Sequence, residues 1–388
     1  MNTILFITVG GSPEPIVTAI NDLNPNQVIF ICSTGSKGSE SLVKDIVSQC
    51  KLQEKNYQLV LIDNPDNISE VYDKIVQKIQ QTPEGEFLAD YTGGTKTMSI
   101  GLGIAALDYD MTIHLTTANK RDNLIKVTTG QRVRRAPVTS LIVNRKINQN
   151  IPPLLERYNY PAAVAQLEEI FREYEISGED DKNVGKILNL SKGLDLWDIF
   201  DHQDAYEYLK DFLGDSKYKP LIFFLKQVIG SRSAIDPDFT SDNGINGHGY
   251  EIVEDLIFNA QRKASQERYD DAVARLYRAL ELLVQIRLKR EYQISTGDNK
   301  LGLMQSYESL VERQDEPLGS WFKKHKKPIQ DKLSIRNYSI MAHGFKPITK
   351  DKYESLENVF VSFILKGIEQ IISPEKLTGV QFPDSLLK

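Results

Sequence analysis

The segment from Arg336 to Phe345, RNYSIMAHGF, combines an arginine, an asparagine and a histidine in a chain that has only five histidines. A guanidinium group matches phosphate oxygens in two hydrogen bonds. An imidazole donates or accepts a proton near neutral pH. RNA carries its own nucleophile, the 2'-hydroxyl, so its cleavage needs only proton transfer and a cation beside the transition state. Arg336 and His343 are of the residue types that supply these two functions.

The spacing of this pair predicts a shared cleft. The pattern from Leu333 to Ala342 predicts a helix that Gly344 and Pro347 end. Seven residues along a helix place Arg336 and His343 within about twenty degrees of each other, roughly two turns apart. That separation predicts a site completed across a dimer interface. The spacing also arises by chance in helical chains rich in arginine, so packing is the alternative.

The N-terminal third alternates short β-branched runs with amphipathic segments of helix length. The predicted strands are Ile4–Val9, Val28–Ser33, Tyr57–Ile62, Glu86–Tyr91, Met111–Thr117 and Leu124–Thr129. This order predicts βαβ units, and therefore a Rossmann-like, doubly wound, mostly parallel sheet with helices on both faces. Ligands of such sheets bind beyond the carboxyl ends of the strands.

The loops at that predicted rim share a composition of glycine and hydroxyl residues. Glycine lets backbone N–H groups approach a phosphate, and helix N-termini add partial positive charge. The alternative is that these are ordinary turn and capping residues. The candidate ligand-binding residues are Gly10, Gly11, Ser12, Ser33, Ser36, Asp90, Thr92, Gly93, Gly94, Thr95, Lys96 and Asn119.

Two known nucleotide motifs are not satisfied. TGGTK lacks the spacing of a P-loop, which removes the main support for triphosphate hydrolysis. Gly101 to Ala106 fits GxGxxA, yet it lies inside a predicted helix instead of after a strand. We therefore expect this segment to pack a helix closely on the sheet, which leaves NAD chemistry a weak alternative.

Composition narrows the class of protein. A length of 388 residues predicts two or three domains, and a formal net charge of −6 argues against a general nucleic-acid coat. The two cysteines form no CxxC, which favours a reducing cytoplasm. The first residues are expected to form a strand and not a signal peptide, and no later run has the length of a membrane span. No metal-ligand spacing is present, so we expect no metal site.

From about residue 150 the predicted segments are helical. We expect a boundary near residues 140 to 152 and three parts: a sheet domain at 1–145, a helical linker at 146–250 and an all-helical domain at 251–388. A long helix is expected from about Glu251 to Glu291.

Two motifs resemble known families. TVGGSPEPIVTAI after the first strand and DYTGGTKTMSIGLGIAAL after the fourth resemble the CARF domain of CRISPR-associated proteins. The segment RNYSIMAH resembles the Arg-x(4–6)-His motif of HEPN ribonucleases. This resemblance implies that the catalytic residues are Arg336, Asn337 and His343. The segment RLYRALE resembles a supporting HEPN helix, with Arg278 and Glu281 beside the cleft; an ion pair within a solvated helix is the alternative.

The resemblance implies a cytoplasmic, prokaryotic CARF–HEPN ribonuclease of type III CRISPR systems. Its implied partners are single-stranded RNA and a cyclic oligoadenylate of four or six units, bound across a homodimer. The implied reaction is metal-independent and allosterically activated, with no cofactor besides the activator. A further possibility is that the CARF domain degrades its own ligand. The alternative from another class is a noncatalytic nucleotide sensor, in which the residues of RNYSIMAH pack the helical domain and catalyse no reaction.

Overall fold

The computed structural model describes residues 2–35, 38–117, 120–122, 126–129, 131–136, 138–176, 178–297, 301–373, 377 and 379–383. The chain forms two compact units, Met1–Ile142 and Val143–Lys388. The finer division into three parts stays a prediction.

The first unit is an α/β domain. Its strands are β1 (Thr3–Thr8), β2 (Gln27–Ser33), β3 (Tyr57–Ile62), β4 (Glu86–Asp90), β5 (Thr112–Thr117), β6 (Lys120–Asp122), β7 (Lys126–Thr129) and β8 (Arg132–Arg135). Its helices are α1 (Glu14–Leu23), α2 (Val43–Gln49), α3 (Ile68–Gln81) and α4 (Lys96–Asp108). The main sheet has the order β3-β2-β1-β4-β5-β8, and β6 pairs with β7 separately. The predicted doubly wound sheet is confirmed.

One strand of the main sheet was not predicted. β8 runs antiparallel to β5 at the edge of an otherwise parallel sheet. Its sequence, RVRR, has a single apolar residue, so the alternation that marks a half-buried strand is almost absent. Charged side chains of this kind protect an edge strand from pairing with another chain.

Helices cover both faces of the sheet because successive strand residues point to opposite sides. In β1, Ile4 and Phe6 pack into one core with α3 and α4, whereas Leu5 and Ile7 pack into the other core with α1 and α2. The segment from Gly101 to Ala106 packs α4 on the sheet as expected, since Leu102, Ala105 and Ala106 share a core with Ile4 and Phe6 of β1. Gly101 itself faces another helix, because a Cβ there would lie 2.5 Å from a methyl group of Val71 in α3.

The second unit is helical. α5 (Thr139–Glu156) crosses from the first unit, and the others are α6 (Tyr160–Glu173), α7 (Glu179–Asp198), α8 (His202–Leu209), α9 (Lys219–Ser233), α10 (Glu251–Ser265), α11 (Tyr269–Tyr292), α12 (Leu303–Val311), α13 (Pro317–Asn337) and α14 (Lys350–Glu369). The long helix expected from Glu251 is thus two helices. Glu267 adopts a left-handed φ of 62° between them, which an uninterrupted helix does not allow.

Buried aromatic side chains join the C-terminal segment to this unit. Phe382 is 2% exposed and lies edge-on to Trp197 with ring centroids 4.8 Å apart. The guanidinium of Arg262 lies 3.6 Å from the centre of the Phe382 ring. Within the residues that the structure describes, no helix combines the length and apolar character needed to cross a bilayer.

Candidate functional site

A cavity lies where the strand order of the sheet reverses. β1 and β4 are neighbours, and the loops after β1, β2 and β4 meet at their carboxyl ends, the usual position for a ligand in this kind of sheet. They enclose about 340 Å³. Five predicted residues line it: Gly10, Gly11, Ser33, Gly94 and Thr95. Ser39 and Ser41 also line the cavity; neither is among the predicted ligand-binding residues, although the hydroxyl-rich run SKGSES was a signal for them.

Glycines bring the β1 and β4 loops into backbone contact. A Cβ on Gly93 would lie 2.3 Å from the carbonyl oxygen of Thr8, and one on Gly10 would lie 2.6 Å from the nitrogen of Gly94. Neither position has room for a side chain. Gly11 instead is exposed and has no other atom within 4 Å of a Cβ, so its backbone faces open space.

The predicted residues Asp90 and Thr92 hold this loop and do not line the cavity. Asp90 is fully buried and accepts hydrogen bonds from the Thr92 backbone N–H (2.9 Å) and from the Thr116 hydroxyl (3.2 Å). The Thr92 hydroxyl accepts from the Thr116 N–H at 2.7 Å. Burial raises the pKa of the Asp90 carboxyl, and these hydrogen bonds oppose the rise.

Thr95 places the start of α4 at the cavity. Its hydroxyl accepts from the Met98 N–H at 3.1 Å and so caps the helix. The partial positive charge of the α4 N-terminus therefore lies where an anion would bind. Lys96 is exposed and Ser12 is half-buried, and neither lines the cavity. The predicted residues Ser36 and Asn119 lie outside the described residues.

In the helical unit, Arg336 lies on an aromatic ring. Its guanidinium carbon is 4.0 Å from the ring centre of Tyr277 in α11, and its Nη1 donates to the Asn337 amide oxygen at 3.3 Å. The Tyr277 side chain is in turn hydrogen-bonded to Glu281. Tyr277 was not predicted. Tyr277 lies four residues before Glu281, and residues at this spacing are neighbours on a helix, so the sequence could have indicated that the two side chains meet.

The helix carrying Arg336 ends earlier than predicted. α13 stops at Asn337, so His343 is not on it and the expected shared helical face is wrong. Backbone hydrogen bonds fold the chain back instead: the Ser339 N–H donates to the Arg336 carbonyl (3.0 Å) and the His343 N–H to the Asn337 carbonyl (3.2 Å). The turn returns the His343 backbone to the end of α13. The two residues are still neighbours, but through a turn.

Gly344 permits this turn. A Cβ at residue 344 would lie 1.9 Å from the carbonyl oxygen of Tyr338, which is backbone and cannot rotate away. His343 itself is exposed.

Arg278 and Glu281, the predicted supporting pair, form an ion pair on α11. Their closest N–O distance is 3.4 Å, and Arg278 also donates to Gln285 at 2.9 Å. Through Tyr277, Glu281 is connected to Arg336, whereas the bonds of Arg278 among the described residues stay on its own helix. No group of three or more His, Cys, Asp or Glu among the described residues is arranged to hold a metal ion.

Comparison with known families covers both units. Residues 15–144 match the family model of the Card1 CARF domain, and residues 242–301 and 295–366 match that of the Csm6 HEPN domain. The chain belongs to the CARF–HEPN effectors. This confirms the resemblance seen in the two motifs.

A solved relative shares the fold along almost the whole chain. Enterococcus italicus Csm6 bound to cyclic hexa-2'-fluoro-hexa-dAMP has a TM-score of 0.57 and 14% identity, covering 97% of this chain and 96% of that one. At this identity the likeness concerns the fold alone. No curated protein matches the sequence.

The matched regions contain most candidate site residues of this CARF–HEPN protein. The loop from Thr92 to Lys96 lies inside the CARF match, whereas Gly10 to Ser12 precede it. Arg336, Asn337 and His343 lie inside the HEPN match.

Proposed function

We propose that this protein is an endoribonuclease that a cyclic oligoadenylate activates. The observation that carries the proposal is that one chain joins a CARF match to a Csm6 HEPN match, with Arg336 and His343 inside the second. The sheet domain binds the activator and the helical domain cleaves single-stranded RNA. The ligand acts by binding the active arrangement more tightly than the resting one.

The activator binds at the cavity between the β1, β2 and β4 loops. Backbone N–H groups beside Gly10, Gly11 and Gly94 and the N-terminus of α4 suit phosphate groups. The related Enterococcus italicus protein is bound to a cyclic hexanucleotide analogue, which supports a cyclic oligoadenylate here. In a homodimer each protomer supplies one such cavity, so a symmetric ring meets a symmetric pair of sites. The serine, threonine and lysine side chains of these loops are also the groups that ligand degradation would use.

His343 and Arg336 divide the chemistry of RNA cleavage. The 2'-hydroxyl attacks the adjacent phosphorus and the bond to the 5'-oxygen breaks. His343 transfers the proton that the 2'-hydroxyl loses and the 5'-oxygen gains. Arg336 stabilises the negative charge on the phosphate oxygens. Asn337 supports Arg336 through its amide oxygen. No metal ion takes part in this scheme.

A second protomer completes the nuclease site. The segment around His343 exposes four large apolar side chains: Tyr338 (71%), Ile340 (56%), Met341 (50%) and Phe345 (97%). Exposed apolar groups clustered in this way are typical of an interface. Covering them with the same segment of a partner brings the Arg336 and His343 of both chains into one cleft.

The test is cleavage of a fluorogenic RNA in EDTA, with and without cyclic tetra- or hexa-adenylate. Arg336→Ala and His343→Ala serve beside the wild type. We expect ligand-dependent cleavage that both substitutions abolish. Ligand binding without cleavage by the wild type would overturn the proposal in favour of a noncatalytic sensor. Cleavage that EDTA stops and added metal restores would overturn its metal-independent part.

A further inference from the structure

A second, larger cavity lies beside α11 in the helical unit. It has a volume of about 990 Å³ and is bordered by the end of α7, the end of α9, α10, one face of α11 and the loop after α11. We call it the α11 cleft. Its cationic residues are Arg232, Arg275, Arg278 and Lys289. Only Arg278 among them has been considered above.

The cations on α11 share one face of the helix. Arg275, Arg278, Gln285 and Lys289 all line the cleft, and their spacing of three, seven and four residues keeps them on one side. Arg275 and Lys289 are about 21 Å apart along the axis at 1.5 Å per residue. A single phosphate group cannot contact both, whereas the successive phosphates of a nucleic-acid strand can.

The two carboxylates that line the cleft, Asp198 and Asp236, form their ion pairs with residues outside α11. Asp198 is already paired with Arg262 at 2.8 Å and with Lys263. Asp236 is paired with Arg232 at 3.2 Å.

Arg275 and Lys289 make their hydrogen bonds to uncharged oxygens, whereas Arg278 is paired with Glu281. Arg275 bonds the amide oxygen of Asn259 and the carbonyl of Asp271, and Lys289 donates to the carbonyl of Ile235 at 2.9 Å. Neither cation has a carboxylate within ion-pair distance among the described residues. Desolvation by burial lowers the pKa of Arg275 although the charges of Asp198 and Asp271 oppose the shift, so a further anion beside it would compensate for lost hydration.

The end of α7 adds an apolar and aromatic surface. Ile199 is 65% exposed, and Phe200 follows it in the cleft. Phe200 adopts a φ of 71°, a conformation that bulky residues rarely adopt and that often marks a functional site. Arg232 holds this conformation by donating to the Phe200 carbonyl at 2.8 Å.

Aromatic surface beside a row of cations is how proteins bind single strands without reading sequence, since bases stack and phosphates pair with the charges. An adjoining cavity shares Phe200 and Arg232 with the α11 cleft, but its other lining residues include the carboxylates of Asp201 and Asp238. Phosphates are therefore favoured on the α11 side. Arg278 also adjoins Tyr277, the residue on which Arg336 lies.

We propose that the α11 cleft anchors single-stranded RNA at a distance from the bond that is cleaved. Phosphates contact Arg275, Arg278 and Lys289, and a base lies against Phe200. The inference rests on the proposed function, because the anchored strand is the substrate of the nuclease. It extends that function by giving the enzyme a preference for longer RNA.

The first test measures binding of a 15-nucleotide 2'-O-methyl RNA, which cannot be cleaved, by fluorescence anisotropy across a salt series. The variant Arg275→Gln/Lys289→Gln is expected to raise Kd at least tenfold. Loss of two phosphate contacts should make the dependence of the log association constant on log salt concentration shallower by about 1.4. The matched control Lys182→Gln/Lys219→Gln removes two exposed lysines outside the cleft and should stay within twofold of wild type.

A gain-of-function variant separates this result from misfolding. Thr296→Lys adds a cation at the cleft and is expected to tighten binding and to steepen the salt slope by about 0.7. A Kd for the double variant equal to that of the control would overturn the proposal. Competition by adenosine monophosphate that the double variant loses, with RNA binding unaltered, would overturn it in favour of a small-nucleotide site.

Cleavage assays complete the design. The double variant should raise KM for the 15-nucleotide RNA and leave kcat/KM for a tetranucleotide unchanged. Equal losses on both lengths would contradict anchoring and indicate damage to the nuclease site. If the wild type cleaves no RNA, the proposed function fails, yet the binding series still reports on the cleft.

Discussion

Arg336 is held in a geometry that its charge alone does not explain. The guanidinium carbon lies 4.0 Å from the ring centre of Tyr277 while one nitrogen bonds Asn337. Stacking restrains the side chain and leaves its other nitrogens for an incoming phosphate. Arginine suits this role because its planar group stacks and hydrogen-bonds together, which a lysine ammonium does not.

Arg336→Lys is therefore expected to lower the cleavage rate about 100-fold although the positive charge remains, a loss similar to removing one donor to a transition-state anion. Single-turnover cleavage with saturating activator measures the effect. Arg313→Lys is the matched control, because Arg313 also lies 4.0 Å from a tyrosine ring, that of Tyr292. A rate for Arg336→Lys near that of the wild type would contradict the role.

At the scale of elements, the conformation of the segment from Arg336 to His343 depends on where α13 ends. The turn after Asn337 is closed by backbone hydrogen bonds and by the close approach of Gly344 to the Tyr338 carbonyl. It places His343 beside the helix end without making it helical. The backbone position of His343 thus depends on the close approach of a glycine.

Gly344→Ala is expected to open this turn and to lower cleavage at least tenfold, because a methyl group would overlap the Tyr338 carbonyl oxygen. Binding of cyclic oligoadenylate should be unchanged, since the CARF cavity is in the other unit. Gly214→Ala is the control, as a Cβ there meets no atom within 4 Å. Cleavage rates and activator affinity for both variants, measured side by side, decide the point; full activity in Gly344→Ala would show that the turn is not required.

At the scale of the whole molecule, the chain carries exposed apolar groups in each of its two units. In the CARF domain Ile100 (53%) and Ile104 (38%) are exposed on α4, the helix that begins at the cavity between the β1, β2 and β4 loops. In the HEPN domain the exposed groups surround His343. A homodimer that uses both surfaces would bury these side chains and give each site its second half.

The variant Ile100→Glu/Ile104→Glu should weaken dimerisation, because two carboxylates would have to be desolvated at the interface. Sedimentation velocity over a concentration series measures the shift toward monomer, and activator affinity should fall with it. Ile68→Glu is the control, because the exposure of this α3 isoleucine (42%) lies between those of Ile100 and Ile104. An unchanged dimer with both α4 substitutions would place the interface elsewhere.

The amino-acid sequence by itself determined the sheet domain and the loops that form its cavity. The alternation in β1 and the glycines after β1 and β4 are local signals, because strand period and glycine conformation depend on neighbouring residues. The residue types of Arg336 and His343 likewise indicated proton transfer and phosphate binding without any knowledge of the fold.

Tertiary structure decided what depends on residues far apart in the chain. β8 is a strand because it pairs with β5, and Asp90 holds a loop because burial sets it beside Thr116. α13 ends at Asn337 because a backbone turn replaces its hydrogen bonds, and Arg336 meets Tyr277 only once α11 and α13 have packed. Contacts of this kind leave no periodic pattern in the sequence, since each is fixed by the packing of separate elements.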